Sequence, residues 1–243
     1  ADYDLKTGLC ELIDNALDFW VESKRRSKLK IDISLDVNRQ IIAVRDNAGG
    51  VKRSDLRLLI APGASRDATT ENRIGIFGVG GKRAGVALGE LVEIRTRYKS
   101  EQSHKIEIDN EWLQQESWQI EYTECAAIGA GSTIVEISKL RQPFAKSDVD
   151  GIRKNLGETY GWFIDQGCEI TLNGIGIAAK SFDVWSYPPE YPPRSMSFSI
   201  KPDGERDLSV TMEAGLIGDR DPETENYGVY IYCNHRLIVK EMR

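Results

Sequence analysis

A glutamate and an asparagine four residues apart are the first pair whose types and spacing could do chemistry. Glu11 and Asn15 lie in the stretch from Asp4 to Glu22, where apolar residues recur at helical spacing. Side chains four apart on a helix share one face and lie about 6 Å apart, so both can reach one ligand. Asn15 could bind magnesium, which prefers oxygen ligands and keeps several waters, leaving Glu11 free as a base. Such a pair alone is usually solvated surface.

An aspartate followed by glycines ends a predicted hairpin. Residues 31–45 alternate between apolar and polar on either side of a break at residues 38–39, which predicts two antiparallel strands, the second ending at Asp46. Gly49 and Gly50 allow a ligand to approach the backbone closely. A half-buried carboxylate here needs a donor, which the exocyclic amine of adenine supplies. Guanine presents an oxygen instead, at a cost of about 1–3 kcal/mol. A simple Asx-type turn explains this motif equally well when it stands alone.

A glycine-rich segment then leads into a short stretch that is compatible with a helix. The free N–H groups and the dipole at the start of a helix attract phosphate, and a lysine in this segment adds a full positive charge. The candidate phosphate-binding residues are Gly75, Gly78, Val79, Gly80, Gly81 and Lys82. A Walker motif would need glycine at Ile76, and both the Walker and the dinucleotide motifs exclude Arg83. The segment therefore predicts a third kind of phosphate loop.

The motifs ELIDN, DNAGG and GIFGVGGKRAG, in this order, resemble those of the GHKL ATPase superfamily, and GSTIV at residues 131–135 is similar to its fourth motif. The resemblance implies a Bergerat-fold α/β sandwich with helices on one mixed sheet. It also implies Glu11 as general base, Asn15 on magnesium, Asp46 and Thr133 at adenine, and Gly50 and the glycine segment around ATP. Ala48 stands where the family usually has glycine.

Within the superfamily, two sequence segments are similar to segments of the MORC-type ATPases, which are related to MutL. One is GVGGKRAG and the other is YIYCNHRLIVK at residues 230–240. The second segment implies a transducer domain, in which a lysine reaches the terminal phosphate of ATP. Lys240 is the candidate for that role, one residue later than in the family pattern, and Lys82 is the candidate in the phosphate loop.

The pattern of elements predicts two domains. We expect an ATP-binding domain over residues 1–140 and an α+β transducer-like domain over residues 141–243, divided near residues 142–143. Asn173-Gly174 is the strongest hairpin signal in the chain. The polar residues 61–73 indicate either a lid that folds over ATP or an ordinary surface loop. We also expect the chain to be a fragment of a longer protein.

Composition restricts the cellular location of the protein and its possible partners. No run approaches the roughly 20 apolar residues of a membrane helix, and four separated cysteines indicate neither a zinc site nor a disulfide framework. These features favour a cytoplasmic protein, or a nuclear one in a eukaryote. The net charge of −6 gives no overall attraction to DNA. A basic cluster at residues 24–30 indicates either helix-dipole complementation or a local DNA contact.

The main functional hypothesis is a magnesium-dependent ATP hydrolase that forms an ATP-dependent homodimer. A non-hydrolysing ATP-binding switch module and an Hsp90-like chaperone ATPase domain are the alternatives. A sensor histidine kinase has less support, because no phosphoacceptor histidine helix precedes Glu11. Members of the superfamily share this kind of ATP site but have different biological functions, so the site alone does not indicate which of these functions the protein has.

Overall fold

A computed structural model describes residues 4–22, 27–59, 80–115, 121–180, 190–201, 207–216 and 228–242. The helices are α1 (Leu5–Glu22), α2 (Gly80–Leu88), α3 (Asn110–Leu113), α4 (Lys146–Thr159) and α5 (Gly161–Asp165), with a 3-10 helix over Arg53–Leu59. The strands are β1 (Lys30–Asp36), β2 (Ile41–Asp46), β3 (Gly89–Thr96), β4 (His104–Ile108), β5 (Tyr122–Glu124), β6 (Thr133–Leu140), β7 (Glu169–Leu172), β8 (Ile175–Gly176), β9 (Arg194–Ile200), β10 (Leu208–Ala214), β11 (Val229–Cys233) and β12 (Arg236–Met242).

Eight strands form one mixed sheet in the order β5-β4-β3-β6-β2-β1-β7-β8. Neighbouring strands are antiparallel except for β1 and β7, which are parallel. Ile31, Ile33 and Leu35 are buried on one face of β1, whereas the intervening residues are exposed. The predicted class, helices packed on a mixed sheet, is confirmed.

The core lies between this sheet and its helices. Leu9, Ile13 and Leu17 recur along α1 at helical spacing and are completely buried. At the start of α1, a Cβ on Gly8 would lie only 2.5 Å from a methyl carbon of Leu88 at the end of α2. Glycine at this position therefore allows α1 and α2 to pack closely.

Contacts within the chain define two compact units. The first contains residues 1–180 and 233–236, and the second contains residues 181–232 and 237–243. Residues 141–180 belong to the first unit because β7 pairs with β1 and because Ile152, Leu156 and Phe163 of α4 and α5 are buried. The division into functional domains at residue 140 stays a prediction.

Two predicted turns are confirmed. β1 and β2 pair as a hairpin, with Gln40 in the left-handed region at φ 54°. Asn173 and Gly174 connect β7 and β8. Their φ angles of 51° and 75° are both positive, as a two-residue hairpin turn of type I′ requires. The predicted strand over residues 175–179 is shorter than expected, since β8 ends at Gly176.

In the second unit, β9 and β10 form an antiparallel pair, and β11 and β12 form another two-stranded sheet whose connecting turn belongs to the first unit. Over the ranges that the structure describes, none of the helices has both the length and the apolar character needed to cross a membrane.

Candidate active site

Asp46 is the last residue of β2, and its carboxyl group is enclosed although the residue as a whole is half-buried. Burial disfavours the charged form and raises the pKa of the Asp46 carboxyl to about 7. The backbone N–H of Ala48, 2.9 Å from Asp46 Oδ1, lowers that pKa and is the one donor this carboxyl meets among the described residues. A carboxylate has roughly four acceptor positions, so Asp46 can accept further hydrogen bonds from a ligand.

Two threonines lie beside Asp46 on the neighbouring strands. Thr133 on β6 is directly opposite Asp46, and Thr96 on β3 is directly opposite Thr133, so the three side chains share one face of the sheet. The two threonine hydroxyl oxygens are 3.1 Å apart. The fully buried Thr96 Oγ1 also accepts the backbone N–H of Val51 at 2.9 Å. The structure therefore brings the predicted pair Asp46 and Thr133 together.

Thr96 does not stand out in the sequence as a site residue. Its signal is a polar residue that ends the buried face of β3, where Val92 and Ile94 precede it. This signal identifies Thr96 as a site residue only when the pairing of β3 with β6 is known, because that pairing places Thr96 opposite Thr133.

The turn after Asp46 packs against a second loop. The N–H of Gly49 donates to the carbonyl of Gly131 at 2.9 Å, and the N–H of Gly131 donates to the carbonyl of Arg97 at 2.9 Å. Gly50 has φ +66°, and a Cβ there would lie 2.0 Å from the carbonyl oxygen of Arg97. Gly50 is therefore required by this close approach. Ala48, which departs from the family pattern, is buried without a positive φ, so its side chain is accommodated.

Glu11 and Asn15 lie on α1 with the predicted spacing. Glu11 is half-buried and Asn15 is exposed, whereas the residues between them are buried. α1 packs against α2, the helix that follows the glycine-rich segment. Asp18, three residues after Asn15 on α1, is also buried.

Part of the predicted phosphate loop lies outside the described residues, namely Gly75, Gly78 and Val79, as does the predicted lid over residues 61–73. Gly80, Gly81 and Lys82 form the first turn of α2. The N–H groups of a first turn have no partner within the helix and favour an anion. Lys240 lies on β12 in the second unit. The assigned roles of Lys82 and Lys240 stay predictions.

Asn15 is the predicted magnesium ligand, and it is exposed on α1. Within the described part of the chain, no three histidine, cysteine, aspartate or glutamate side chains are grouped so that they could hold a metal. The exposed carboxamide of Asn15 is compatible with a magnesium ion held mainly by phosphate and water oxygens, which is a common arrangement for this ion.

The basic cluster after α1 is described only in part. Lys28 and Lys30 both form ion pairs with Glu169, and their hydrogen bonds lower the pKa of Glu169 to about 2. Residues 23–26 lie outside the described ranges. A DNA contact through this cluster stays a prediction.

Comparison with known families identifies the class of protein. A family model described as "Histidine kinase-, DNA gyrase B-, and HSP90-like ATPase" matches residues 3–141. This match covers more than half of the chain, and the chain therefore belongs to this ATPase family. Among curated proteins, no sequence matches it.

Solved structures with the same fold include two topoisomerases. The ATPase and transducer domains of DNA topoisomerase II from Balamuthia mandrillaris match with a TM-score of 0.55 and 14% identity, over 72% of this chain and 48% of that one. The ATPase region of Saccharomyces cerevisiae topoisomerase II bound to ICRF-187 (dexrazoxane) matches with a TM-score of 0.55 and 16% identity, over 73% and 50%. This chain thus spans about half the length of these structures, and the likeness concerns the fold.

Proposed function

We propose that this chain binds ATP with magnesium and hydrolyses it, and that ATP gates the dimerisation of two copies, as in MORC-type or MutL-like ATPases. The observation that carries the proposal is the Asp46 carboxyl, which is enclosed at the end of β2, has one backbone donor among the residues that the structure describes, and faces Thr133. A buried carboxyl with unused acceptor capacity suits a ligand that brings its own N–H groups. Adenine is such a ligand.

In the proposed complex, Asp46 accepts a hydrogen bond from the exocyclic amine of adenine. The Thr133 hydroxyl, held by Thr96, supplies a second polar contact at the ring. Guanine would present an oxygen to the carboxylate and leave it without a donor, which costs about 1–3 kcal/mol. The site should therefore prefer ATP to GTP by roughly 5- to 150-fold.

At the other end of the nucleotide, the first-turn N–H groups of α2 would face the phosphates, with Lys82 adding positive charge. Magnesium, when bound through Asn15, would neutralise part of the phosphate charge. Glu11 would orient a water molecule and accept its proton as the water oxygen attacks the terminal phosphorus. The bond between that phosphorus and the bridging oxygen breaks, and the products are ADP and phosphate.

The assignment is tested by measuring binding and turnover separately. We expect Glu11→Gln to lower phosphate release by at least about 100-fold, within the usual range for a general base, while ATP binding stays near the wild-type value. Glu111→Gln, the same change on an exposed residue of α3, is the matched control and should leave both unchanged. Wild-type turnover in Glu11→Gln would rule out the assigned base.

The same preparation distinguishes the alternative functions. A switch module that does not hydrolyse ATP would bind ATP and release no phosphate in the wild-type chain. Sizing by light scattering, with and without a non-hydrolysable ATP analogue, tests the dimer directly. A chain that stays monomeric with the analogue bound would contradict ATP-gated dimerisation and leave the ATPase assignment standing.

A further inference from the structure

A buried aspartate on α1 has no role in the proposed chemistry. Asp14 directly precedes Asn15 and lies three residues after Glu11, but its side chain points into the protein and is 7% exposed. An ionisable side chain at such a depth is retained only when partners satisfy it. The partners of Asp14 come from two distant parts of the sequence.

The first partner is Tyr160, between α4 and α5, which is completely buried. Its hydroxyl donates to Asp14 Oδ1 at 2.7 Å and lies 3.0 Å from the carbonyl oxygen of Cys10, one helical turn earlier on α1. Tyr160 therefore fixes the carboxyl of Asp14 relative to the helix backbone.

The second partner is Arg236, the first residue of β12. Its Nε lies 2.9 Å from both carboxyl oxygens of Asp14, and its side chain is 16% exposed. The interaction joins residues 222 positions apart in the sequence. If either residue moved away, the other would be left as an uncompensated buried charge, which is strongly unfavourable. Asp14 and Arg236 therefore hold each other in place.

The turn before Arg236 is held at a second point. Asn234 and His235 have φ 47° and 69°, as in the tight two-residue turns that connect antiparallel strands. The His235 ring stacks on the Trp162 indole of α5, with centroids 3.7 Å apart and planes 7° from parallel. Both anchors belong to the first unit, and β11 and β12 lead from this turn into the second unit.

We infer that the Asp14–Arg236 pair couples nucleotide occupancy at α1 to the hairpin formed by β11 and β12, with both residues acting as positioning residues. Asn15 and Glu11 are the proposed magnesium and water contacts, and Asp14 is on the same rigid helix. A displacement of α1 when nucleotide binds must therefore move the carboxyl that holds Arg236. By linkage, the hairpin in turn affects the affinity for nucleotide. This inference rests on the proposed function, since it requires ATP to bind at α1.

Hydrogen exchange with a non-hydrolysable ATP analogue tests the coupling. In the wild-type chain, the analogue should change exchange in residues 229–242 by about fivefold or more, the lower end of usual allosteric coupling. Asp14→Asn and Arg236→Gln should each abolish most of this change, and the double variant should lose little more than either single variant. Arg236→Lys should restore part of it, because the charge remains but the guanidinium geometry is lost.

Two controls make the result specific. Exchange in residues 5–22 must still slow in each variant, which shows that the analogue is bound. Asp150→Asn, the same chemical change at an exposed position of α4, should respond as the wild-type chain does. If Asp14→Asn does not fold, His235→Asn is the alternative variant. It removes the stacking on Trp162 at an exposed turn position, where asparagine tolerates the positive φ. It should also weaken the change in hydrogen exchange of residues 229–242.

The outcomes separate the two proposals. If the wild-type chain does not bind the analogue, the proposed function is wrong. If the analogue binds but residues 229–242 do not respond, or if Asp14→Asn and Arg236→Gln respond as the wild-type chain does, the coupling is wrong and ATP binding stands.

Discussion

Nucleotide binding should depend on the titration of Asp46. The Asp46 carboxyl has a pKa of about 7 because it is enclosed, and the proposed contact with adenine requires the ionised form as an acceptor. The carboxylate fraction is about 0.9 at about pH 8 and about 0.1 at about pH 6. The apparent affinity should therefore fall by roughly 10-fold between these pH values, equivalent to about 1.4 kcal/mol. The sign follows directly, because lowering the pH through the pKa removes the form that binds.

The measurement is a series of binding isotherms for ATP across this pH range, by calorimetry or by competition with a fluorescent analogue. Asp46→Asn is the matched variant, since it keeps the shape of the side chain and cannot titrate. Other groups, including the terminal phosphate of the ligand, titrate in both proteins. The prediction therefore concerns the ratio of the two affinities, which should rise about 10-fold from about pH 6 to about pH 8.

A ratio that does not change with pH would refute the reasoning at a definite step. It would mean either that the carboxyl is ionised throughout this range or that its charge does not contribute to binding. Calorimetry in buffers of different ionisation enthalpy distinguishes these cases, because uptake or release of a proton on binding contributes a buffer-dependent heat. Proton release near pH 7 by the wild-type chain, absent in Asp46→Asn, is the result that we expect.

Two further predictions concern stability, measured by urea unfolding. Gly50→Ala should lower the free energy of unfolding by at least about 2 kcal/mol more than Gly174→Ala, because both positions have positive φ but only at Gly50 does a Cβ meet a backbone carbonyl. Equal losses would contradict the close approach. Thr96→Val should cost about 1–3 kcal/mol by leaving the buried N–H of Val51 without its acceptor, whereas Thr123→Val on the exposed strand β5 should be near neutral. A neutral Thr96→Val would show that the threonine hydroxyl is replaceable there.

The local parts of the fold were accessible from the sequence. Alternation over residues 31–45 predicts which side chains face the core, and the residues at the break predict a turn, so the β1–β2 hairpin follows from neighbouring residues. The parallel pairing of β1 with β7 joins segments more than 130 residues apart. Periodicity predicts the buried face of a strand but not its partner, so the pairing of β7 with β1 does not follow from the sequence.

The candidate site shows the same limit. Asp46 and Thr133 stand out through their motifs, and the structure places them directly opposite each other. Thr96 is an ordinary strand residue in the sequence, since threonine favours strands wherever they occur. It becomes part of the site only because β3 pairs with β6 in a register that sets the two hydroxyl groups 3.1 Å apart.

Two aspartates whose carboxyl groups are enclosed show that hydrogen-bond partners, and not the pKa, distinguish a ligand site from a contact within the protein. Burial raises the pKa of both Asp46 and Asp14 to about 7. Asp14 accepts hydrogen bonds from Tyr160 and Arg236, which lower its pKa and use its acceptor capacity within the protein. Asp46 meets one backbone N–H among the described residues, so an incoming donor can still gain a hydrogen bond there. Both carboxyl groups thus have a raised pKa, but their partners differ. Asp46 is suited to recognise a ligand, whereas Asp14 is suited to hold α1 and the β11–β12 turn together.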